Sequence, residues 1–283
     1  MTGAAFRTGA LTVLFCLCAG AAAADDVQVT DKDRMWVNFT REAAVVGDNR
    51  FWVELRGMEL QTANTPTLSL VGYSVADYEK QHNKTIENID GGRFDLVAAY
   101  GLGQAAEIGF DLPFVMQQQI KPTSGSPDNV ANVGDLVLYG KFKQQLADHW
   151  AGAIGLELSA PTGPSSELLG SGDLGLNPIL STRYQSGRLA LGGHVGFLLN
   201  TGSQPDVFNW SLEAVARANS MLAFRTEVNG RLFRDDGTVN DISIWPGLDF
   251  NLTDYFVIRP EGLVHATDDA INWGIGIGFA LTL

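Results

Sequence analysis

From Thr67 onward the chain repeats one unit: about ten residues in which apolar side chains alternate with polar or small ones, a tight turn, about ten more, and then a longer polar loop. The closing segment shows the rule. Trp273, Ile275, Ile277, Phe279, Leu281 and Leu283 fall on one face, and Asn272, Gly274, Gly276, Gly278, Ala280 and Thr282 on the other. A period of two belongs to the extended strand, whose successive side chains point to opposite faces. The pattern predicts strands over 67–79, 94–102, 106–116, 134–145, 150–160, 174–185, 189–199, 208–218, 222–233, 242–252, 256–266 and 272–283, an even number.

The connections alternate as well. Tight ones are expected at Gly103–Ala105, Ala147–His149, Ser186–Arg188, Asn219–Met221 and Thr253–Tyr255, and polar loops at 80–93, 117–133, 161–173, 200–207, 234–241 and 267–271. Short turns at one rim and longer loops at the other mark a membrane barrel, with the turns periplasmic and the loops external. Soluble sandwiches also alternate, but their strands run about 5 to 6 residues, whereas these approach the 9 to 11 that cross a bilayer at a tilt. Aromatics gather on the apolar face at Phe142, Trp150, Tyr184, Phe250 and Phe256 beside the turns, and at Phe94, Trp210 and Trp273 beside the loops. Two such belts suit two interfaces. The fold class read from the sequence is all-β: a transmembrane antiparallel up-and-down β-barrel of about 12 strands over 65–283. Pro178 and Pro246, on the apolar face, each remove a ladder donor and predict bulges. A serine in place of Gly276, on the other face, is expected to be tolerated.

Ahead of the barrel the pattern changes twice. Arg7, the apolar run Ala10–Ala19 and the small residues Ala22 and Ala24 read as a secretory signal over 1–24, cleaved before Asp25. Over 25–64 Thr30 with Asp33 resembles a helix N-cap, Trp36, Phe39, Ala43 and Val46 follow at helical spacing, and Gly47 can end the helix. Such an N-terminal extension would rest in the periplasm or plug the lumen. Arg50–Leu60 reads equally as helix or strand, and a hairpin there would make the barrel fourteen-stranded.

Composition narrows the partners. After residue 24 there is no apolar stretch long enough for a spanning helix, yet 45% of residues are hydrophobic and 32 are glycine, so insertion must use strands. Both cysteines, Cys16 and Cys18, lie in the signal, leaving the mature chain without disulfides. The net charge of −13 becomes −14 once Arg7 is removed, which argues against nucleic acid. The expected location is the cell outer membrane of a double-membraned bacterium. The expected partners are its lipid and lipopolysaccharide, the barrel-assembly machinery and a small-molecule solute.

Several stretches carry a family resemblance: Phe110-Asp111-Leu112-Pro113-Phe114-Val115, Gly134 through Lys141, Leu158 through Gly163, and the glycine-rich closing strand. Over about residues 65–283 the chain resembles the outer-membrane transporters grouped as the MetA-pathway of phenol degradation family. The resemblance implies an outer-membrane barrel passing aromatic or other small molecules, and it carries no catalytic residues.

Candidate chemistry concentrates on the inward phase, where Glu157, Arg183, His194, Glu213, Arg217, Arg225, Glu227, Arg231, Asp249, Arg259 and Glu261 all fall. Across the turn at Ser220 the numbering brings Glu213 opposite Glu227 with Arg217 and Arg225 diagonal, and across Thr253 it sets Asp249 diagonal to Arg259. Arg183 and Arg231 would then be left to set selectivity for anionic or aromatic solutes. His82, His149, His194 and His265 show no serine and amide or carboxylate spaced for a triad on the lipid face, so no catalytic residue is expected. No cofactor or metal site is expected either, Asp235, Asp236, Asp241, Asp268 and Asp269 reading as solvated loop charge that could touch cations. A narrow channel or transporter for small molecules is the first reading, favoured by inward Gly, Ala and Ser that leave space. A closed structural or adhesive barrel is the second, and an outer-membrane enzyme the third.

Overall fold

In the computed structural model the described residues are 46, 49–62, 66, 68–202, 204–234, 241–267 and 271–283. The signal over 1–24 and the helix expected between Thr30 and Gly47 lie outside them, Val46 excepted. Thirteen strands form one antiparallel sheet: β1 (Phe51–Thr62), β2 (Ile86–Leu102), β3 (Ala106–Pro122), β4 (Asp128–Val133), β5 (Leu136–Ala147), β6 (Trp150–Ala160), β7 (Gly175–Ser186), β8 (Leu189–Asn200), β9 (Val207–Arg217), β10 (Leu222–Phe233), β11 (Asp241–Asn251), β12 (Phe256–His265) and β13 (Ile271–Thr282). All but β4 make up the wall, each pairing with its neighbour, and β1 against β13 closes it. At the seam Phe51 and Leu283 exchange backbone hydrogen bonds of 3.0 and 2.7 Å. Closure leaves no wall edge unsatisfied, the condition a lipid environment imposes.

The strand count is the expected twelve, but its first member is not. The segment 67–79 contributes only a bridge, Leu68 to Ser74, and the start of a helix, α1 (Ala76–His82), while β1 occupies 51–62. The barrel therefore begins at Phe51 rather than at 65. The other eleven wall strands fall where the period-two pattern puts them, β2 and β3 running several residues further out.

The tight turns carry the chemistry that makes them. Asn219 Oδ1 accepts from the backbone N–H of Met221 and Leu222 at 2.8 and 2.9 Å, and Thr253 Oγ1 from those of Tyr255 and Phe256 at 3.1 and 3.0 Å. Beyond the wall, β3 leaves β5 after Asp111 and pairs with β4 from Phe114 to Ile120, extending a ribbon on the loop side.

Neither proline makes the expected bulge. The β7–β8 register is the same at Leu176↔Leu199 and Ile179↔Gly196, and the β11–β12 register the same at Ser243↔His265 and Gly247↔Glu261. An antiparallel residue points its N–H at one neighbour only. Each proline therefore breaks one side of the ladder locally, and Pro178 stays registered with Leu156 and Pro246 with Thr226 on the other.

The outer wall is apolar: Ile154, Leu180, Leu212 and Ile275 are 60–64% exposed. A continuous band of this kind suits hydrocarbon and not water. Ile277→Arg, mid-strand on β13, should destabilise the barrel by about 2–4 kcal/mol in urea titration from lipid vesicles. Equal tolerance of Ile277→Arg and Ile277→Val would remove the lipid-facing assignment. Gly276 is no neutral comparison, because an added Cβ there would lie 2.7 Å from Met58 Cγ and 2.9 Å from the Gly57 carbonyl oxygen.

Candidate functional site

The lumen is built from the inward rows of the strands, and all eleven sequence-derived candidates sit on them. What the sequence did not disclose is that β1 adds Glu54 and Arg56, which complete a closed circuit of six charges. Arg56 Nη2 lies 3.3 Å from Glu54, whose other oxygen meets Arg259 Nη1 at 2.6 Å. Arg259 Nε lies 3.3 Å from Asp249, and Asp249 lies 3.1 Å from Arg225 Nε. Arg225 Nη2 reaches Glu261 at 2.6 Å, and Glu261 returns to Arg56 Nε at 3.2 Å. The side chains are at most 2% exposed.

The circuit has room because the inward row of β13 is Gly274, Gly276, Gly278 and Ala280. Arg56 of β1 and Glu261 of β12 meet across that bare strip, and a Cβ at Gly278 would stand 2.9 Å from Glu54 Oε1. Three arginines alternate with three carboxylates, so the circuit is neutral and supplies no net field to a passing ion. Alternation is also what makes burial tolerable, since each desolvated charge has opposite neighbours on both sides.

The other candidates divide by role. The β9–β10 register puts Glu213 opposite Glu227, as the numbering requires, and Asn229 Nδ2 donates to Glu227 at 3.0 Å. Asp249 stands directly across from Arg259 rather than diagonal, because the turn is centred on Asp254 and not on Thr253, the register running through Gly247↔Glu261 and Phe250↔Ile258. Arg217 Nη1 donates to the Ser220 carbonyl at 3.0 Å, and Arg183 Nε to Gln185 at 3.2 Å. Arg231 is held by Asp241, its Nε at 2.9 Å, and its Nη1 donates to the Gly72 carbonyl at 3.2 Å. It is thus a clamp and not the surplus selectivity charge expected. Asp241 also lies 3.1 Å from His265 Nε2, while Asp235, Asp236, Asp268 and Asp269 fall outside the described residues.

Facing the circuit, β6 to β9 carry a polar row. Asn177 Nδ2 donates to Glu157 at 2.7 Å, Asn209 Nδ2 to Asn177 at 3.2 Å, and His194 sits 3.2 Å from Asn209 and 2.9 Å from Ser211 Oγ. Sequence spacing hid this contact of histidine, serine and amide, which cross-strand register creates on the lumen side. Asn177, Asn209 and Ser211 were missed, although their inward phase was readable.

The loop between β1 and β2, L1, folds into the mouth on the long-loop side. Leu70, Val75 and Tyr78 pack with Met58 and Leu60 of β1 and Leu263 of β12. On the far side L1 is tied by three bonds: Gly72 to Arg231, Tyr73 hydroxyl to Asp135 at 2.9 Å, and Ser74 N–H to Gln204 at 3.4 Å. Asp135 is itself fixed, accepting from Gly163 N–H at 3.0 Å and from the Ser171 N–H and hydroxyl at 2.7 and 2.6 Å. Desolvation and the Asp135 carboxylate push the Tyr73 hydroxyl well above the ordinary phenol range, so it stays a donor. Behind α1, burial and Asp128 push Tyr78 up to about 12, and hydrogen bonds from Lys84 and Tyr78 hold Asp128 below the usual carboxylate range. L1 therefore bridges the mouth between β1, β5, the β8–β9 connection and β10.

Accessibility is uneven around the ring. The six circuit side chains are buried, whereas Lys143, Gly155, Glu157, Gln185 and Gly192 on the inward rows of β5 to β8 keep part of their surface accessible, as Gly247 and Gly276 do beside the circuit.

No family model matches the chain, and no curated protein does. Solved structures do. An outer membrane channel from Pseudomonas putida F1 is 13% identical over 88% of this chain and 100% of its own, with a TM-score of 0.64. The NanC porin is 10% identical over 81% and 98%, with a TM-score of 0.54. The KdgM porin in complex with disordered oligogalacturonate is 10% identical over 81% and 98%, with a TM-score of 0.51. What this chain shares with them is the fold, a closed antiparallel β-barrel of the membrane-spanning type.

Proposed function

We propose that this protein is an outer-membrane channel for small solutes, narrowed externally by L1 and conducting along the β5–β8 side of the lumen. The observation that carries the reading is the contrast between the six buried charges of the circuit and the inward Lys143, Glu157 and Gln185 of β5 to β7, which keep part of their surface accessible. The similar solved structures are described as an outer membrane channel and as porins, which supports the same class. The resemblance to the MetA-pathway family adds aromatic compounds as the first solutes to try. Export by the signal over 1–24, assembly by the barrel machinery, and contact with lipopolysaccharide at the loop rim belong to the same proposal.

With the circuit neutral and Arg231 engaged as a clamp, Arg183 of β7 and Lys143 of β5 are inward cations on the conducting side. In a planar bilayer the protein should show small, discrete single-channel steps, and Arg183→Ser should shift the reversal potential toward cations with folding intact. Absence of any step in the parent would leave the closed structural barrel as the better reading. The Ser211–His194–Asn209 contact does not favour an enzyme, since all three side chains are at most 8% exposed and bonded to one another.

A further inference from the structure

The lipid-facing wall over β5 to β9 is not evenly ridged. One cross-strand row, Phe142↔Ile154↔Leu180↔Val195, is built of large apolar side chains. The next row toward the tight turns, Gly152↔Thr182↔Gly193, has almost no side chain at all. Below it stands Trp150↔Tyr184↔Leu191, with the Trp150 and Tyr184 rings 5.0 Å apart. The bare row floors a trough of about 760 Å³ along the first of these ridges. Its ends are closed by Leu146, 3.0 Å from where a Gly152 Cβ would be, and by Leu212, 3.2 Å from that of Gly193. The floor cannot be refilled easily, because a Gly193 Cβ would lie 2.6 Å from the Ser211 carbonyl oxygen.

Depth and chemistry say what lies there. Gly152 is two residues from the start of β6, and Thr182 four from the end of β7, so the trough sits in the half of the wall next to the tight turns. That half faces the periplasmic leaflet, whose acyl chains belong to phospholipid. The Trp150–Tyr184 pair marks headgroup level beneath it. Gln144, an exposed amide on the lipid-facing row of β5, stands at the trough's rim.

We propose that the trough is a binding site for one acyl chain of a periplasmic-leaflet phospholipid, with Gln144 donating to its ester carbonyl. The proposal rests on the reading of this wall as membrane-embedded. Lipid tails are as apolar as the ridges, so the preference comes from close packing along the bare row and from the one polar contact. A solvating lipid would instead touch all faces of the barrel alike.

The test uses the full-length protein in vesicles of phosphatidylethanolamine carrying a diazirine midway along one acyl chain. After irradiation, label should concentrate in the β6 and β7 peptides of the parent. Thr182→Trp, which fills the trough from an exposed position, should abolish that concentration, and Ile275→Trp on another lipid-facing strand should leave it unchanged. Label spread evenly around the parent barrel, or unaffected by Thr182→Trp, overturns the site while leaving membrane insertion intact. Failure of the parent to float with the vesicles overturns the membrane reading, and the site with it.

Discussion

Arg259→Met lowers the stability of the folded barrel by about 3–5 kcal/mol in urea titration from lipid vesicles, the scale of removing one partner from a buried ion pair. Methionine keeps most of the aliphatic stem and removes the guanidinium, whose Cζ lies 5.9 Å over the Trp52 ring, so the loss reports charge and not a cavity. Two carboxylates each lose one of their two arginine partners at once. Glu54 forfeits its 2.6 Å bond and Asp249 its 3.3 Å contact, while both remain desolvated. Adding Glu54→Gln to Arg259→Met should restore part of the stability, because removing both members spares a buried charge that neither single change can neutralise. A loss below about 1 kcal/mol, the size seen for exposed pairs, would mean that water reaches the circuit and that this wall also conducts.

The same circuit shows where sequence reading stops. Inward Gly and Ala, read by composition alone, imply empty lumen. In a curved wall a glycine on the inner face is instead the place where a neighbour lies flat: Glu213 over Gly192, Arg225 over Gly247, Glu54 beside Gly278. Composition reports the absent side chain and not the one that fills its space, so the lumen is more occupied than the inward row of β13 suggests.

Strand β1 was hidden for a related reason. Its outward residues include Phe51, Val53 and Leu55 at the turn end but Gly57, Glu59 and Gln61 toward the mouth, while its inward residues include Trp52, Met58 and Leu60. Met58 and Leu60 serve L1 while Trp52 packs with Val97, Ala99 and Tyr139, so the alternation of a lipid-facing strand reverses halfway along. The segment 67–79 imitates a strand because Leu68 and Leu70 also recur at two residues, and burial against the lumen wall and burial against lipid are indistinguishable by period. In the other eleven wall strands one face meets lipid, which is why their positions are legible from the period, whereas β4 lies off the wall inside the expected loop 117–133.

Opening the external mouth should need only one methyl group. Gly72 has φ of +89°, a conformation that costs other residues about 1–2 kcal/mol, and its added Cβ would lie 3.0 Å from Arg231 Cζ. Gly72→Ala therefore weakens the docking of L1 on β10, and a 1–2 kcal/mol loss raises the undocked population by about five- to thirtyfold. The apolar packing of Leu70 and Val75 keeps the loop attached on the β1 side, so the change is a swing of the loop and not its unfolding. Single-channel recordings should show larger steps or frequent visits to a larger step. Gly125→Ala is the control: its φ of +102° imposes the same backbone strain, but nothing lies within 4 Å of the added Cβ, so conductance should not change. Bridging Ser74→Cys to Gln204→Cys with a short thiol-reactive linker, in a mature chain expected to have no other cysteine, should return Gly72→Ala to the parental step. Equal conductance in Gly72→Ala and the parent would show that solutes pass the mouth without displacing L1.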